Sequence, residues 1–400
     1  MSRLLKVTLL IPLLAILTLL LLIRYYPGLQ VSSYGVLFNT LTGRGSPAQD
    51  SSLAFRLQVP PGFELSLFAD NLPKPRLLKI TPGGQLLFSS PRTGSIYLLS
   101  DSDNDGRADH KHPLLTQLNR PHGIDIYDDG DTNWLYVAES DAVGRVAMDW
   151  QSGTPRDTYR RLITGLPTGG NHWSRTIKFG PDGWLYLSIG SSCNVCEEDD
   201  PRRAAILRYR PDGSGGEVFA SGLRNSVGFD WTPWDGELYA TDNGRDLLGD
   251  DFPPCELNKI SRGGFYGWPY INGFGVPDPD FGEPGKARRS TSIPPAFGFP
   301  AHNAPLGIRF LRHNERPAAY QRTALVALHG SWNRSQPDGY KVVALHWDED
   351  GNIRSEDFLS GLLRPDGKVI GRPVDIEEGP DGSLYISDDY AGVIYRVLYK

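Results

Sequence analysis

Polar residues that could bind a ligand occupy one kind of position in this 400-residue sequence, immediately before short runs of strand-forming residues. These residues are Arg76, His122, His172, Arg224, Asn225, His329, Trp332, Asn333, Arg334 and Arg372. Guanidinium groups bind carboxylates through paired hydrogen bonds, and an indole ring offers a flat face for stacking. If the runs start around one axis, this composition predicts a cavity for a planar, polyanionic ligand. The alternative is that each arginine pairs with an acidic neighbour and each histidine caps a strand.

A repeated sequence pattern, a tight turn followed by roughly five strand residues, predicts the strands that would position these side chains. Five copies carry a turn glycine: Gly84, Gly130, Gly183, Gly236 and Gly382. The first three intervals between these glycines, 46, 53 and 53 residues, match the length of a four-stranded propeller blade. A sixth copy, from Tyr320 to Gly330, lacks the glycine turn and divides the last interval. We therefore predict an all-β fold, a six-bladed β-propeller of four-stranded antiparallel blades, with a pair of β-sandwiches as the alternative.

The N-terminus carries a separate hydrophobic segment, in which no charged residue occurs from Val7 to Ile23. Basic residues precede this segment, a pattern typical of an export signal that stays uncleaved as a membrane anchor and leaves the following domain outside. A cleaved signal peptide is the alternative. We predict an exported protein on the periplasmic or extracytoplasmic face, anchored to the inner membrane by residues 7–23. The predicted divisions are an anchor helix in 1–26, a linker in 27–53 and the propeller in 54–400.

The balance of acidic and basic residues indicates whether nucleic acid is a suitable partner. Lysine and arginine number 41 against 47 aspartates and glutamates, which gives a formal net charge of −6 at pH 7. Nucleic-acid-binding proteins present basic surfaces that neutralise phosphates. We therefore expect no nucleic-acid partner.

Three cysteines, Cys193, Cys196 and Cys255, bear on the redox state of the chain. In an exported protein the "CNVC" pair could form a disulfide, or one of its thiols could pair with Cys255. No histidine follows "CNVC", which excludes covalent haem attachment by motif, and a zinc site would need two more ligands. We predict one structural disulfide and one free thiol.

Several longer motifs occur together in one order: "NHWSRTIKFGPDGWLYLSIG", "GLRNSVGFDWTPWDGELYATDNGRD", "ELNKISRGGFYGWP", "HGSWNR" and "GRPVDI". From about Pro60 to the C-terminus the chain resembles the soluble quinoprotein sugar dehydrogenases that use pyrroloquinoline quinone (PQQ), and among them the sorbosone and pyranose dehydrogenase-like branch. The resemblance implies a six-bladed propeller. It also implies an oxidoreductase that passes hydride from a sugar, aldose or related CH–OH group to the quinone.

The same resemblance assigns roles to residues. His172 would be the general base that takes the proton from the anomeric hydroxyl, a role compatible with an unperturbed imidazole pKa near 6.5. The quinone would be held by Arg76, Arg224, Asn225, His329, Trp332, Asn333 and Arg372. No appended cytochrome is visible in the sequence, so we expect an external electron acceptor: a quinone, a dye or a separate cytochrome.

Calcium is predicted at two places. The resemblance implies a calcium ion that polarises the quinone and is bound by the backbone carbonyls of Gly244 and Arg245. Independently, the stretch "DSDNDGRAD" places Asp101, Asp103, Asp105 and Asp109 at spacings of an EF-hand type of loop, although His112 stands where the last acid would be. A second, structural calcium is expected there, with a solvated acidic turn as the alternative.

One departure from the family pattern concerns the base. In the glucose-oxidising members an acid lies nineteen residues after the histidine and orients it, and here that position is Ser191. Two other functions therefore stay open: a six-bladed calcium-dependent lactonase or esterase, and a noncatalytic propeller that binds a partner. The joint presence of His172, Arg224 and Arg372 favours the dehydrogenase.

Overall fold

The computed structural model describes residues 56–400, together with Leu14, Leu17, Thr18 and Leu21. The predicted linker and most of the predicted anchor segment lie outside the described residues. In the described part of the chain, no helix is long and apolar enough to span a membrane. Anchoring and export therefore stay predictions.

Six antiparallel sheets form six blades, five with four strands and one with an additional short fifth strand, and each blade is built almost entirely from consecutive strands. The first strand of the chain, β1 (Phe63–Ala69), belongs to the last blade. Blade 1 contains β2 (Leu78–Ile80), β3 (Leu86–Ser90), β4 (Ser95–Ser100) and β5 (His110–Leu115). Blade 2 contains β6 (Ile124–Asp128), β7 (Asn133–Ala138), β8 (Ala142–Asp149), the short β9 (Thr154–Pro155) and β10 (Arg160–Thr164). Blade 3 contains β11 (Arg175–Phe179), β12 (Leu185–Ile189), β13 (Ala205–Tyr209) and β14 (Glu217–Ser221).

The second half of the ring follows the same plan with one insertion. Blade 4 contains β15 (Phe229–Trp231), β16 (Leu238–Asp242) and β17 (Cys255–Ile260), then a hairpin of β18 (Ile271–Asn272) and β19 (Val276–Pro277), a short helix (Lys286–Arg289), and finally β20 (Phe297–Phe299). Blade 5 contains β21 (Pro305–Phe310), a 3₁₀ turn (Ala318–Tyr320), β22 (Thr323–Leu328), β23 (Lys341–Trp347) and β24 (Ile353–Leu359). Blade 6 contains β25 (Pro373–Glu378), β26 (Leu384–Asp388), β27 (Val393–Tyr399) and β1.

The six predicted repeat copies are the second strands of the six blades, namely β3, β7, β12, β16, β22 and β26. Most of these strands are buried along their whole length, since apolar clusters from neighbouring blades cover both faces. Strands buried on both faces read as continuous apolar runs. The prediction of a six-bladed propeller is confirmed, and the sandwich alternative is wrong.

The ring is closed by pairing between the two ends of the described chain. Strand β1 runs antiparallel to β27, from Phe63 opposite Tyr399 to Ala69 opposite Ile394. The rings of Phe63 and Phe358 meet edge to face at 5.1 Å, which adds apolar contact between this seam and blade 5. One blade thus contains both ends, so that blade 6 cannot form without the strand that precedes blade 1.

The prediction of one disulfide and one free thiol is confirmed. Cys193 and Cys196 form a disulfide, and Cys255 on β17 is a buried free thiol. Burial raises the pKa of the Cys255 thiol to about 11, which keeps it protonated and unreactive.

Candidate active site

The loops that lead into the first strands of the blades meet around one cavity of about 450 Å³. Five of the predicted site residues line it: Arg76, His172, Asn225, His329 and Arg372. They come from the entries to blades 1, 3 and 4, the exit of β22 in blade 5, and the entry to blade 6. The expectation that residues preceding strands share one axis is correct for Arg76, His172, Asn225 and Arg372, and it is wrong for His329, which lines the same cavity but follows its repeat strand β22.

Other lining residues were missed by sequence reasoning: Lys74, Arg92, Arg120, Trp173 and Asp389. Two of them carried a usable signal, because Lys74-Pro75-Arg76 and Arg120-Pro121-His122 repeat the same pattern two residues before the predicted positions. Asp389 follows a repeat strand instead of preceding one, so a search of strand starts could not find it.

The two ring nitrogens of His172 differ: Nδ1 is hydrogen-bonded to Ser191, whereas Nε2 has no hydrogen-bond partner among the described residues. Its Nδ1 lies 2.8 Å from the backbone oxygen of Ser191 and 3.0 Å from the Ser191 hydroxyl. Because a carbonyl oxygen can only accept, Nδ1 carries the proton and Nε2 keeps its lone pair. Among the described residues, none forms a hydrogen bond to Nε2, and His172 lines the cavity.

Burial lowers the pKa of His172 to about 3, and the positive charge of Arg224 adds to this effect. The Asp246 carboxylate acts in the opposite direction but does not outweigh burial. The imidazole is therefore neutral at ordinary pH. Ser191 orients the ring through a neutral hydrogen bond and supplies no compensating charge.

Glycine at position 190 permits this arrangement. A Cβ atom at Gly190 would lie 2.7 Å from the Cβ of His172 and 2.5 Å from the Oδ1 of Asn225. Distances this short are not tolerated between real Cβ atoms and their neighbours. The end of β12 must carry glycine for His172 and Asn225 to approach each other at the cavity wall.

Asp389 joins Arg76 and His329 on two sides of the cavity. Its Oδ2 accepts a hydrogen bond from Arg76 Nη1 at 2.8 Å, and its Oδ1 lies 2.9 Å from His329 Nε2. Although burial acts to raise the pKa of Asp389, its interactions with His329, Arg76 and Arg372 hold that pKa well below the usual range. Burial, with Arg372, lowers the pKa of His329 to about 4. Asp389 is therefore ionised, and it fixes Arg76 and His329 in place.

Arg372 and Arg76 differ in the hydrogen-bond partners that the protein offers to their N–H groups. Arg372 donates from Nε to the carbonyl of His329 at 2.9 Å and from Nη2 to that of Gly330 at 3.1 Å. Arg76 also approaches His122, with 3.2 Å between Nη2 and Nε2, but its buried Nε has no hydrogen-bond partner among the described residues. A buried donor without a partner is costly, and because Arg76 lines the cavity, a bound ligand could accept this hydrogen bond.

Five of the ten candidate residues are not brought to the cavity wall: His122, Arg224, Trp332, Asn333 and Arg334. Arg224 is buried, and its N–H groups donate to the oxygens of Asn194, Asn243, Gly244 and Asp246 at 2.8–3.4 Å. Asn333 is also buried, and its Oδ1 accepts from the backbone N–H of Leu247 at 2.7 Å. Trp332 does not line the cavity. Arg224 acts on the site through its charge and the loops that it joins.

The disulfide loop connects His172 with Arg224. The Ser191 hydroxyl donates to the carbonyl of Cys193 at 2.8 Å. The next residue, Asn194, accepts from Arg224 Nε through its backbone oxygen at 2.8 Å and from Arg224 Nη2 through its side chain at 2.9 Å. The short Cys193–Cys196 loop therefore binds the residue that orients His172 and the arginine that lowers its pKa.

A sequence profile of the TrAA12-like family matches residues 57–252 and 285–400. The chain belongs to this family. It is 36% identical over 361 residues to an uncharacterised protein of Borreliella burgdorferi, covering 86% of this chain and 91% of the relative. It is 26% identical over 420 residues to a PQQ-dependent pyranose dehydrogenase of Coprinopsis cinerea, covering 86% of this chain but only 54% of that relative.

The structural comparison agrees with the TrAA12-like assignment. A calcium structure of a Trichoderma reesei carbohydrate-active enzyme of family AA12 superimposes with a TM-score of 0.72 at 23% identity, covering 86% of this chain and 97% of the other. At this identity the likeness shows the fold. Together with the sequence relatives, it confirms the resemblance to PQQ-dependent sugar dehydrogenases that the motifs indicated.

The two predicted calcium sites of this TrAA12-like chain differ in their surroundings. The carbonyl oxygen of Gly244 accepts a hydrogen bond from Arg224 Nη1 at 2.9 Å, whereas the side chain of Arg245 points to a buried ion pair with Asp278 at 2.7 Å. The exposed loop after β4 brings one carboxylate oxygen each from Asp101, Asp103 and Asp109 within 4.8 Å of one another, without Asp105. Both calcium sites stay predictions.

Proposed function

We propose that the chain is a PQQ- and calcium-dependent oxidoreductase that oxidises a sugar or a related aldose or aldehyde. The observation that carries the proposal is the position of His172, which presents an unprotonated Nε2 to a cavity lined by five cationic side chains and one acid. Membership of the TrAA12-like family, with relatives named as PQQ-dependent sugar dehydrogenases, supports it.

The residues present fit the quinone. PQQ is a planar tricarboxylate, and the cavity offers guanidinium groups for its carboxylates, the indole of Trp173, and the unpartnered Nε of Arg76. Arg76, Asn225, His329 and Arg372 would hold it at the wall, and Arg224 would act from behind the wall. When bound, the quinone supplies the electron-accepting chemistry that no amino-acid side chain provides.

His172 would act as general base in this reaction. Its Nδ1–H bond to Ser191 fixes the tautomer, so that Nε2 is the atom that can take the proton of the sugar's anomeric hydroxyl. The hydroxyl proton would move to Nε2 as a hydride leaves the carbon that bears this hydroxyl, and bound PQQ would supply the acceptor for the hydride.

Calcium would be bound by the backbone oxygens of Gly244 and Arg245, as the resemblance implies. A buried oxygen without a partner, Asn243 Oδ1, adjoins this pair, and hard cations prefer such oxygen ligands. A carbonyl oxygen has two lone pairs, so the bond from Arg224 leaves one at Gly244. The charge of Arg224 beside it would weaken the affinity for calcium.

The alternatives are less well supported by the cavity. A calcium-dependent lactonase or esterase would need several acids around a central metal, and Asp389 is the one acid among the described lining residues. A noncatalytic propeller would have no reason to hold an unprotonated imidazole beside cations. An external acceptor and the exported location belong to the proposal and rest on the sequence.

Reconstitution tests the proposal. The purified full-length protein is incubated with PQQ and calcium, and reduction of a redox dye is followed with a panel of aldoses, sorbosone and simple alcohols. We expect reduction that requires both additions and is lost when a chelator removes calcium. If PQQ does not bind, as measured by its absorbance, the proposed function is wrong.

The pH dependence gives a second test. Neutral His172 is the active form, so kcat/KM should fall only as the pH drops through a pKa held below the ordinary 6.5 by burial and by Arg224. Replacing Ser191 with aspartate would place a negative charge beside Nδ1, raise this pKa, and move the acid limb of the profile upward. A wild-type limb above pH 6.5, or an unchanged limb in the S191D variant, would contradict the assignment.

A further inference from the structure

One turn at the cavity rim occurs twice, at the entries to blades 1 and 2. Lys74 N–H donates to the carbonyl of Leu72 at 2.9 Å, and Arg120 N–H donates to that of Leu118 at 3.1 Å. Both cationic residues have a left-handed backbone, with φ of 54° and 50°, and both precede proline. Side chains rarely adopt this conformation, and a following proline restricts it further. Such strained positions concentrate at functional sites.

The protein itself does not neutralise these two cations. Among the described residues, no carboxylate lies within ion-pair distance of Lys74 or Arg120. Arg120 stacks on Trp173, with 4.2 Å between the guanidinium carbon and the ring centroid. Burial lowers the pKa of Lys74, and the neighbouring Arg92 and Arg76 add to this effect against the attraction of Asp389. Two cations that no carboxylate pairs with, one of which is repelled by neighbouring arginines, indicate a missing anion.

The cations of the cavity lie at different depths. Arg372 is buried and Arg76 is nearly so, and Asp389 lies between Arg76 and His329. Lys74 is half-buried and Arg120 is exposed, so these two cations lie toward the mouth of the cavity, where a substrate enters.

We propose that Lys74 and Arg120 bind an anionic group of the substrate, and that the sugar oxidised is a sugar acid of the hexuronate class. The inference rests on the proposed function. A hexuronate carries an oxidisable hydroxyl at C1 and a carboxylate at C6, at opposite ends of the ring. Oxidation at C1 to the lactone would release a proton, which His172 would take, and a hydride, for which bound PQQ would supply the electron-accepting chemistry, and it would leave the C6 carboxylate unchanged.

Matched substrate pairs test the inference by kinetics. D-glucuronate is compared with D-glucose, and D-galacturonate with D-galactose, on the protein loaded with PQQ and calcium. We expect kcat/KM to favour the acids by about tenfold or more, since charge-assisted hydrogen bonds to carboxylates are strong. The K74Q and R120Q variants should lose this preference, and so should the wild type at high salt. Arg160, an exposed arginine over Trp134 outside the cavity, gives the matched control R160Q, which should keep the preference.

Binding without turnover separates the two proposals. Calorimetry compares the affinity for methyl β-D-glucuronide with that for methyl β-D-glucoside, on protein with and without PQQ. Neither glycoside can be oxidised at C1. Tighter binding of the glucuronide, lost in R120Q, shows that these cations bind an anionic sugar even if PQQ fails to bind, in which case only the oxidation of that sugar is wrong. Equal or better use of neutral sugars overturns the inference and leaves the proposed function intact. A loss of PQQ affinity in R120Q as large as its loss of preference also overturns it, because the cations would then hold the cofactor.

Discussion

Replacing His172 with alanine or glutamine should reduce kcat for sugar oxidation by about 10²- to 10⁴-fold, the usual contribution of a general base. The reason is geometric: Nε2 has no hydrogen-bond partner among the described residues, while Nδ1 is committed to Ser191 at 2.8 Å. Glutamine preserves a polar side chain of similar reach but cannot accept and retain a proton. Both variants should therefore lose activity to a similar extent.

The measurement is single-turnover reduction of bound PQQ, with PQQ affinity determined separately by absorbance titration. Affinity within about threefold of the wild type would show that the loss lies in the chemical step. His110, exposed on β5 and outside the cavity, provides the control H110Q, which should behave as the wild type. If H172Q retained a tenth or more of the wild-type kcat, His172 would not be the base.

The sequence was sufficient to predict the repeated strands, but not to predict the strand pairing that closes the ring. Second strands of the blades share a turn and an apolar run because all are buried between neighbours in the same way. The strand Phe63–Ala69, at the edge of blade 6, alternates half-buried and exposed residues before two buried ones, and it lacks the turn and the apolar run. Its partner is over 320 residues away, and no local pattern encodes such a pairing.

The sequence predicted where in the chain the site residues lie, but not the direction in which each side chain points. Strand starts were the correct place to look because backbone topology brings them to one axis. Arg224 lies in the loop that leads into β15, as predicted, yet its guanidinium turns toward the oxygens of Asn194 and Gly244, which the sequence does not indicate. The loss of the family acid at Ser191 was visible, but the backbone carbonyl that replaces its orienting hydrogen bond carries no sequence signal.

The second large effect concerns the stability of the propeller. Asp230 on β15 is fully buried, and it accepts hydrogen bonds from Lys178 Nζ at 2.7 Å, from Arg312 at 2.9 Å and from the backbone N–H of Phe310 at 2.9 Å. These partners belong to blades 3 and 5, so one carboxylate links three blades. Replacing Asp230 with alanine should cost about 3–5 kcal/mol of unfolding free energy, because it leaves buried cations unpaired.

The two cations should respond differently to this change. Burial already lowers the pKa of Lys178 to about 7 despite Asp230, so without the carboxylate Lys178 can release its proton. Arg312 cannot lose its charge at accessible pH, and its guanidinium would therefore be the main source of the cost. Urea unfolding of D230A measures the loss, and the exposed pair of Glu237 with Lys259, 3.3 Å apart, gives the control E237A, expected to cost under about 1 kcal/mol.

Acid unfolding provides the decisive comparison for Asp230. Burial alone would raise the pKa of its carboxyl, but Lys178, Arg312 and Arg309 together hold that pKa below the ordinary value. Its contribution to stability is therefore complete above the unfolded pKa of about 4 and is lost as the pH falls further. Below pH 4 the unfolding free energies of the wild type and D230A should converge. A constant difference down to pH 2 would mean that packing around Asp230, and not its charge, holds the three blades together.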